Sequence, residues 1–286
     1  MVYLFLVLSI SLSAVRNLLS KRLSKVKFGD RHFYIFQSVT FFCGAAALLT
    51  FGNVFPLEIS KQTFVYALIY GFLLIFAQWF YTMSLTSGNT PVCSTVYSMG
   101  FILPTLSGAI LWSEELNFFD CVGIVFAVAA LLFSGVNKEK TQSSNKYFIP
   151  CLVAMLSSGG LGIMQKIQQR SLFPNQRGIF LTLAFLFAGV ISLLFALKHS
   201  CTNEAKPSKR LFAFSAAVGF SFGCCNLLNT FLAGKLPSSF FFPVLNIGVI
   251  MITTVISILL YKEKLRKKEF AILASGIISI ILLSIF

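Results

Sequence analysis

The chain has 286 residues, of which 57% are hydrophobic and only 11% are charged, and its formal net charge is +14. So few polar side chains cannot coat a water-soluble body of this size, which excludes a conventional soluble enzyme or binding domain. The 23 basic residues are spread through the connections between apolar stretches instead of forming one patch. That distribution excludes a nucleic-acid surface and is typical of a protein that lies in a lipid bilayer.

Charged residues are nearly absent from ten stretches of the chain. A helix of roughly 20 mostly apolar residues crosses the hydrocarbon core, and it satisfies its own backbone hydrogen bonds there. The first stretch is interpreted as a retained span and not as a signal peptide, because its basic cluster follows the apolar run. We predict an all-α membrane protein with ten transmembrane helices, at residues 2–20, 33–51, 62–83, 91–112, 117–136, 147–165, 178–197, 211–233, 238–261 and 269–286.

The last part of the first half reappears in the second half. Sliding the chain by 149 residues places Glu114 on Glu263, inside the segments WSEEL and YKEKL. A shift of 145 residues aligns the first span of each half and places Lys21 on Lys166. Matches in one register inside equivalent spans indicate an internal duplication.

Each half contains five predicted spans, which is an odd number, so the second half enters the membrane from the opposite side. The sequence therefore predicts two inverted five-helix repeats, residues 1–140 and residues 141–286. Inverted repeats are typical of transporters, whose site lies near the bilayer midplane between the halves. The alternative is that the duplication only built a stable helical bundle.

The basic residues predict an orientation. The odd-numbered connections carry 17 of the 23 Lys and Arg residues and the even-numbered ones carry 5. Because positive connections stay in the cytoplasm, the odd-numbered ones are predicted to be cytoplasmic and both termini external.

With the stretches GNTPVCSTVYSMGFILPTLSG and LPSSFFFPVLNIGVIMITT before WSEEL and YKEKL, the chain resembles the drug/metabolite transporter superfamily, in its EamA-type branch. Gly123 and Gly276 fit the glycine-bearing fifth and tenth spans of that family. The resemblance implies ten spans, two halves and a small-metabolite cargo. It also implies cytoplasmic termini, as in many members, and this stands as the alternative to the charge count.

We predict a secondary active carrier of a small polar metabolite in the plasma (inner) membrane, working by alternating access as a monomer or homodimer, with the coupling ion left open. No cofactor or metal is expected, because the seven cysteines show neither CxxC nor Cys/His spacing. An intramembrane enzyme would need a catalytic cluster that the sequence does not show, so no enzyme is predicted. A lipid-substrate flippase of the same superfamily is the other alternative.

Polar side chains inside the spans predict the site. In span four, Tyr97, Ser98 and Pro104 share one helical face, and Asn246 and Pro243 do so in span nine. Proline bends a helix, so the two prolines are predicted hinges beside a cavity. The other candidates form two pairs with three-residue spacing and an offset of 148 between them, Gln78 with Tyr81 and Asn226 with Asn229. Hydrogen bonding between helices is the alternative role for these polar groups.

Arg16 is the only formal charge well inside a predicted span. As a ligand it favours a carboxylate or phosphate, and the alternative is that it extends to the headgroups. Asn17 with Lys21 resembles the Asn-x-x-x-Lys pattern of some superfamily carriers of phosphorylated sugars and nucleotide sugars. Glu114 and Glu263 lie at span ends, where we expect them to cap helices or pair with basic residues of the connections.

Overall fold

The computed structural model describes residues 1–24, 30–55, 59–87, 96–135, 148–199, 209–261 and 267–283. Within these ranges the chain forms ten α-helices and no β-strand, and each helix overlaps one predicted span, so the all-α prediction is confirmed. The helices are α1 (Val2–Ser24), α2 (Asp30–Phe51), α3 (Lys61–Ser87), α4 (Ile102–Trp112), α5 (Phe118–Gly135), α6 (Phe148–Arg170), α7 (Arg177–Lys198), α8 (Lys209–Ala233), α9 (Ser238–Tyr261) and α10 (Lys267–Leu283).

Helix length and composition support membrane insertion. In the described part of the chain, five helices are long and apolar enough to cross a bilayer, namely α1, α2, α3, α7 and α8. Shorter apolar helices lie within Val96–Trp112, Phe118–Ala129, Ser238–Thr253 and Ala274–Leu283.

The helix packing has the symmetry that a duplicated fold produces. Extensive contacts join α2 to α7 and α5 to α10, and a smaller contact joins α4 to α9; each of these pairs consists of equivalent helices of the two predicted repeats. Three further pairs of contacts exchange when each helix is replaced by its equivalent: α1–α8 becomes α3–α6, α2–α8 becomes α3–α7, and α1–α9 becomes α4–α6. The two halves are therefore interleaved, and the fold brings α1, α3, α6 and α8 together around the candidate site.

Small residues allow α2 and α8 to approach closely. A Cβ atom added at Gly219 would collide with the backbone of Thr40, and one added at Gly223 would collide with Gly44. In α6, a Cβ at Gly159 would lie 2.7 Å from the carbonyl oxygen of Gly100. Small residues at such spacing let helix backbones touch in the absence of a hydrophobic driving force.

The two predicted hinge prolines have different local structures. The turn before Pro104 is a 3-10 helix, Met99–Phe101, and α4 begins only at Ile102. Proline lacks the N–H that would bond to the carbonyl four residues earlier, which favours this tighter turn. Pro243 instead lies inside the continuous helix α9. The prediction that both are hinges remains a prediction.

Candidate functional site

A polar stripe on α1 faces α8. Ser9, Ser13 and Arg16 have the spacing i, i+4 and i+7, which places them on one side of the helix. Each of them meets one residue of α8, in the pairs Ser9–Asn229, Ser13–Cys225 and Arg16–Phe222. The fold thus brings two predicted site residues, Arg16 and Asn229, onto one interface.

Arg16 faces the interior of the bundle. Its guanidinium carbon lies 4.3 Å from the centroid of the Phe222 ring, which is itself buried. No carboxylate lies within ion-pair distance of Arg16 among the residues that the structure describes. Asn17 is exposed, so the structure does not bring it to the same face. The side chain of Lys21 lies outside the described residues.

A second polar group joins three helices at the centre. The hydroxyl of the fully buried Tyr70 in α3 donates a hydrogen bond of 2.5 Å to Asn226 Oδ1 in α8. Gln165 Nε2 in α6 donates to the Tyr70 oxygen at 2.9 Å and to Asn226 Oδ1 at 3.1 Å. The Asn226 amide in turn donates to the Phe222 carbonyl at 2.8 Å. The side chain of Asn226 therefore links helices, which was the alternative role predicted for it.

Sequence reasoning missed Tyr70 and Gln165. Both are polar residues in apolar helices, which is the signal that could have found them. Tyr70 also interacts electrostatically with Arg16 and Tyr97, two of the predicted site residues.

Two candidate site residues, Tyr81 in α3 and Tyr97 in the segment before α4, lie in contact. The rings of Tyr81 and Tyr97 stack with centroids 4.3 Å apart and an angle of 33° between their planes. Both side chains are partly exposed, as are those of Gln78 and Ser98. Partial exposure of stacked tyrosines is compatible with a wall that a ligand contacts.

Asn246 makes a hydrogen bond within its own helix. Its amide donates a hydrogen bond of 2.9 Å to the Phe242 carbonyl in its own helix, and its side chain is partly exposed. A substrate-binding role for Asn246, as for the other candidates, remains a prediction.

A buried ion pair lies where the even-numbered connections meet. Lys166 Nζ donates to Glu114 Oε1 and, at 3.2 Å, to the Leu236 carbonyl. Glu114 Oε2 accepts the backbone N–H of Ser238, the first residue of α9, at 2.8 Å. We call the Glu114 carboxylate, the Lys166 amine and the Ser238 N–H the Glu114 clamp. It joins the turn after α4 to α6 and α9, and so ties the two predicted repeats together.

The clamp confirms one expectation and differs from another. Glu114 caps a helix, because a carboxylate at a helix N-terminus satisfies a free N–H and complements the dipole. Its main cation is not in a connection, however: Lys166 lies within α6 and its side chain is only 1% exposed. Arg170, near the end of α6, is a more distant second cation at 3.6 Å. Glu263 lies outside the described residues.

Burial and hydrogen bonding shift the pKa of Glu114 in opposite directions. Burial raises the pKa of its carboxyl, but the hydrogen bonds from Lys166 and the Ser238 backbone lower it, and these prevail. The pKa of Glu114 therefore lies below its ordinary value, and the carboxylate is ionised at neutral pH.

Local backbone geometry positions this carboxylate. Ser113 adopts a left-handed conformation with φ of 52°, which ends α4 and turns the chain back. The N–H of Glu114 then donates to the Gly108 carbonyl at 3.2 Å. A Cβ atom at Gly108 would lie 2.5 Å from both Glu114 Oε2 and Ser238 Cβ. Only glycine leaves the clamp this space.

The chain resembles a known family in sequence and a known structure in fold. Residues 146–285 match the EamA-like transporter family, and this segment falls within the predicted second repeat. No curated protein matches the sequence. Among 28 solved chains that match, one crystal structure covers 99% of this chain and 96% of its own, with a TM-score of 0.80 at 14% identity. That identity shows a shared fold and carries no conclusion about the cargo.

The family is a transporter family with an all-helical membrane fold, which agrees with the ten helices described above. Residues 146–285 are therefore similar to the EamA-like transporter family, and the whole chain shares its ten-helix fold with a known crystal structure.

Proposed function

We propose that the protein is a secondary carrier that moves a small polar metabolite across the plasma membrane by alternating access. The observation that carries the proposal is the exchange symmetry of the helix contacts, with polar side chains at the meeting point of α1, α3, α6 and α8. Two equivalent halves that enclose one site can pack against each other in two equivalent ways. In each packing the site is open to one side of the membrane only.

Contacts between the halves on the even-numbered side, which is the end of the bundle where the even-numbered connections lie, support this mechanism. The Glu114 clamp joins the two predicted repeats there. On the same side, Thr63 at the start of α3 donates to Gln176 Oε1 at 2.6 Å, and Ser60 donates to the same atom at 3.0 Å. Gln176 lies in the connection between α6 and α7. In the proposed cycle these contacts hold the even-numbered side closed, and the hydrogen bonds to Gln176 break when that side opens.

The candidate site supports a polar cargo. Arg16, Asn229 and the stacked pair of Tyr81 and Tyr97 present a cation, an amide and aromatic faces. Amides and phenol hydroxyls both donate and accept hydrogen bonds. Such a mixture suits a small ligand with several polar groups and disfavours a purely apolar one.

Transport in proteoliposomes tests the proposal. A first screen measures which metabolites raise the thermal stability of the purified protein, because a ligand of the folded state stabilises it. Uptake of the stabilising compounds is then measured for Tyr97→Ala, Asn229→Ala and Asn246→Ala. A hydrogen bond to ligand is worth about 0.5–1.5 kcal/mol, so each variant should lose roughly several-fold in transport.

Two exposed residues provide matched controls. Tyr3→Ala and Asn175→Ala make the same chemical changes outside the site, and both should transport normally. Normal uptake by all three site variants, at equal protein levels, would reject the site. Movement of a fluorescent phospholipid between leaflets, without uptake of any soluble compound, would favour the flippase instead.

A further inference from the structure

We infer that the cargo carries a carboxylate or a phosphate, which binds the guanidinium of Arg16 at the interface of α1 and α8. The inference rests on the proposed carrier function and specifies the chemical class of its substrate. It begins from the charge of Arg16, which has no counter-charge in the surroundings that the structure describes.

The acidic residues whose side chains the structure describes lie elsewhere. Glu114, Glu115 and Asp120 all belong to the turn after α4 or the start of α5. The Glu114 carboxylate already has Lys166 and Arg170 as partners, and the carboxylate of Asp120 accepts the N–H of Asn117. An ionised side chain within a membrane bundle is costly unless it is paired or faces water, and it usually serves transport or binding.

The scaffold itself does not need this cation. In the register that aligns Lys21 with Lys166, the residue equivalent to Arg16 in the second repeat is Leu161. The register that aligns Gln78 with Asn226 makes Leu74 the equivalent of Phe222. Leu161 and Leu74 are both buried in the same apolar cluster. Two leucines thus lie at the α3–α6 interface, at the positions that Arg16 and Phe222 occupy at the equivalent α1–α8 interface.

The surroundings of Arg16 suit a planar or tetrahedral anion. Phe222 covers one face of the guanidinium, which leaves its N–H groups to bind oxygens in the plane. The neighbouring Tyr70 hydroxyl and the Asn226 amide are already hydrogen-bonded to one another, so they form a neutral polar wall and supply no competing charge. The anionic group of the cargo would provide the missing counter-charge.

Binding to the purified full-length protein tests the inference. The probes are citrate, glucose 6-phosphate and inorganic phosphate, with glucose as the neutral comparison, and the readout is the thermal shift as a function of concentration. We expect at least one anion, and not glucose, to stabilise the wild-type protein. Arg16→Gln should raise the apparent Kd of that anion by about ten-fold or more, since hydrogen bonds to charged groups are the strong ones.

The chain offers a matched control in Arg177. Its guanidinium carbon lies 5.0 Å from the centroid of Phe231, so Arg177→Gln removes a similar stacked cation at another place. Arg177→Gln should leave anion binding unchanged, and Arg16→Lys should retain part of it. Equal anion binding by wild-type protein and Arg16→Gln, or equal loss in both glutamine variants, overturns the inference.

Three further outcomes separate the possible failures. Stabilisation by phosphatidylglycerol that depends on Arg16, without any effect of the soluble anions, would overturn a soluble cargo and identify a lipid headgroup. Uptake of a neutral solute into proteoliposomes, with no binding of anions, would overturn the inference and leave the carrier function standing. The absence of uptake for every solute would reject the carrier function itself.

Discussion

Two cations lie in helices that are equivalent in the two predicted repeats, and their surroundings differ. Lys166 in α6 is almost completely buried, and it has a carboxylate and a carbonyl oxygen as partners. Arg16 in α1 is partly exposed and rests on an aromatic ring, without an ionic partner among the residues described. A buried charge is strongly disfavoured unless paired. We therefore assign Lys166 to the scaffold and Arg16 to the site.

The register that aligns the two halves of the sequence adds to the difference between Lys166 and Arg16. The residue equivalent to Lys166 in the first repeat is another lysine, Lys21, whereas the residue equivalent to Arg16 is the apolar Leu161. A cation that occurs in both repeats fits a role in the shared architecture. A cation that occurs in only one repeat fits the proposed role in recognition, because such a role does not require an equivalent group in the other repeat.

The largest expected effect is on the Glu114 clamp. Lys166→Met should destabilise the protein by about 3–5 kcal/mol, because it leaves the Glu114 carboxylate buried without its main cation. The measurement is the thermal or denaturant unfolding of the purified protein, with the yield of folded protein as a second readout.

A double variant provides the control for that prediction. Glu114→Gln combined with Lys166→Met removes both charges, so it should recover most of the lost stability. If Lys166→Met alone is as stable as the wild-type protein, the assignment of Lys166 to the scaffold is wrong.

Gly108→Ala should have the next largest effect. The new methyl group would lie 2.5 Å from Glu114 Oε2 and Ser238 Cβ, and overpacking of this kind costs about 1–3 kcal/mol. Gly160→Ala is the matched control, because its methyl group would meet only the Leu73 side chain, at 3.2 Å. Equal unfolding temperatures for the two variants would contradict the need for glycine at position 108.

The clamp also predicts a pH dependence. The pKa of Glu114 is lower in the folded protein than its ordinary value of 4.5. Its stabilising contribution is therefore complete above that ordinary value and is lost as the pH falls through the folded pKa. The stability difference between the wild-type protein and Glu114→Gln should be constant from neutral pH to about pH 5 and should shrink below it. A difference that shrinks on raising the pH instead would mean that the carboxylate is not stabilised by its partners.

The smallest expected effect on stability is at Arg16. Without ligand, Arg16→Met should change the free energy of unfolding by less than about 1 kcal/mol, because the lost cation–π contact is offset by removal of an unpaired charge. The same unfolding measurement as for Lys166→Met makes the two variants directly comparable. A loss as large as that of Lys166→Met would show that Arg16 is part of the scaffold.

Some properties of this protein follow from its sequence alone, because they depend on local composition. Apolar runs of membrane length predicted ten helices, and all ten are present in the described ranges. The equivalence of Glu114 and Glu263 predicted a duplication, and the helix contacts have the corresponding symmetry. The composition of the predicted spans also singled out Arg16 as the only formal charge well inside one of them.

Only the tertiary structure decided which polar groups meet. Asn226 is bound by Tyr70 and Gln165, and Glu114 is bound by Lys166, although the partners are far apart in the chain and belong to different elements of the fold. Helical periodicity gives the face on which a side chain lies, but not the helix that faces it or the depth at which the two meet. That choice depends on the packing of the whole bundle, and it separates the paired lysine from the unpaired arginine.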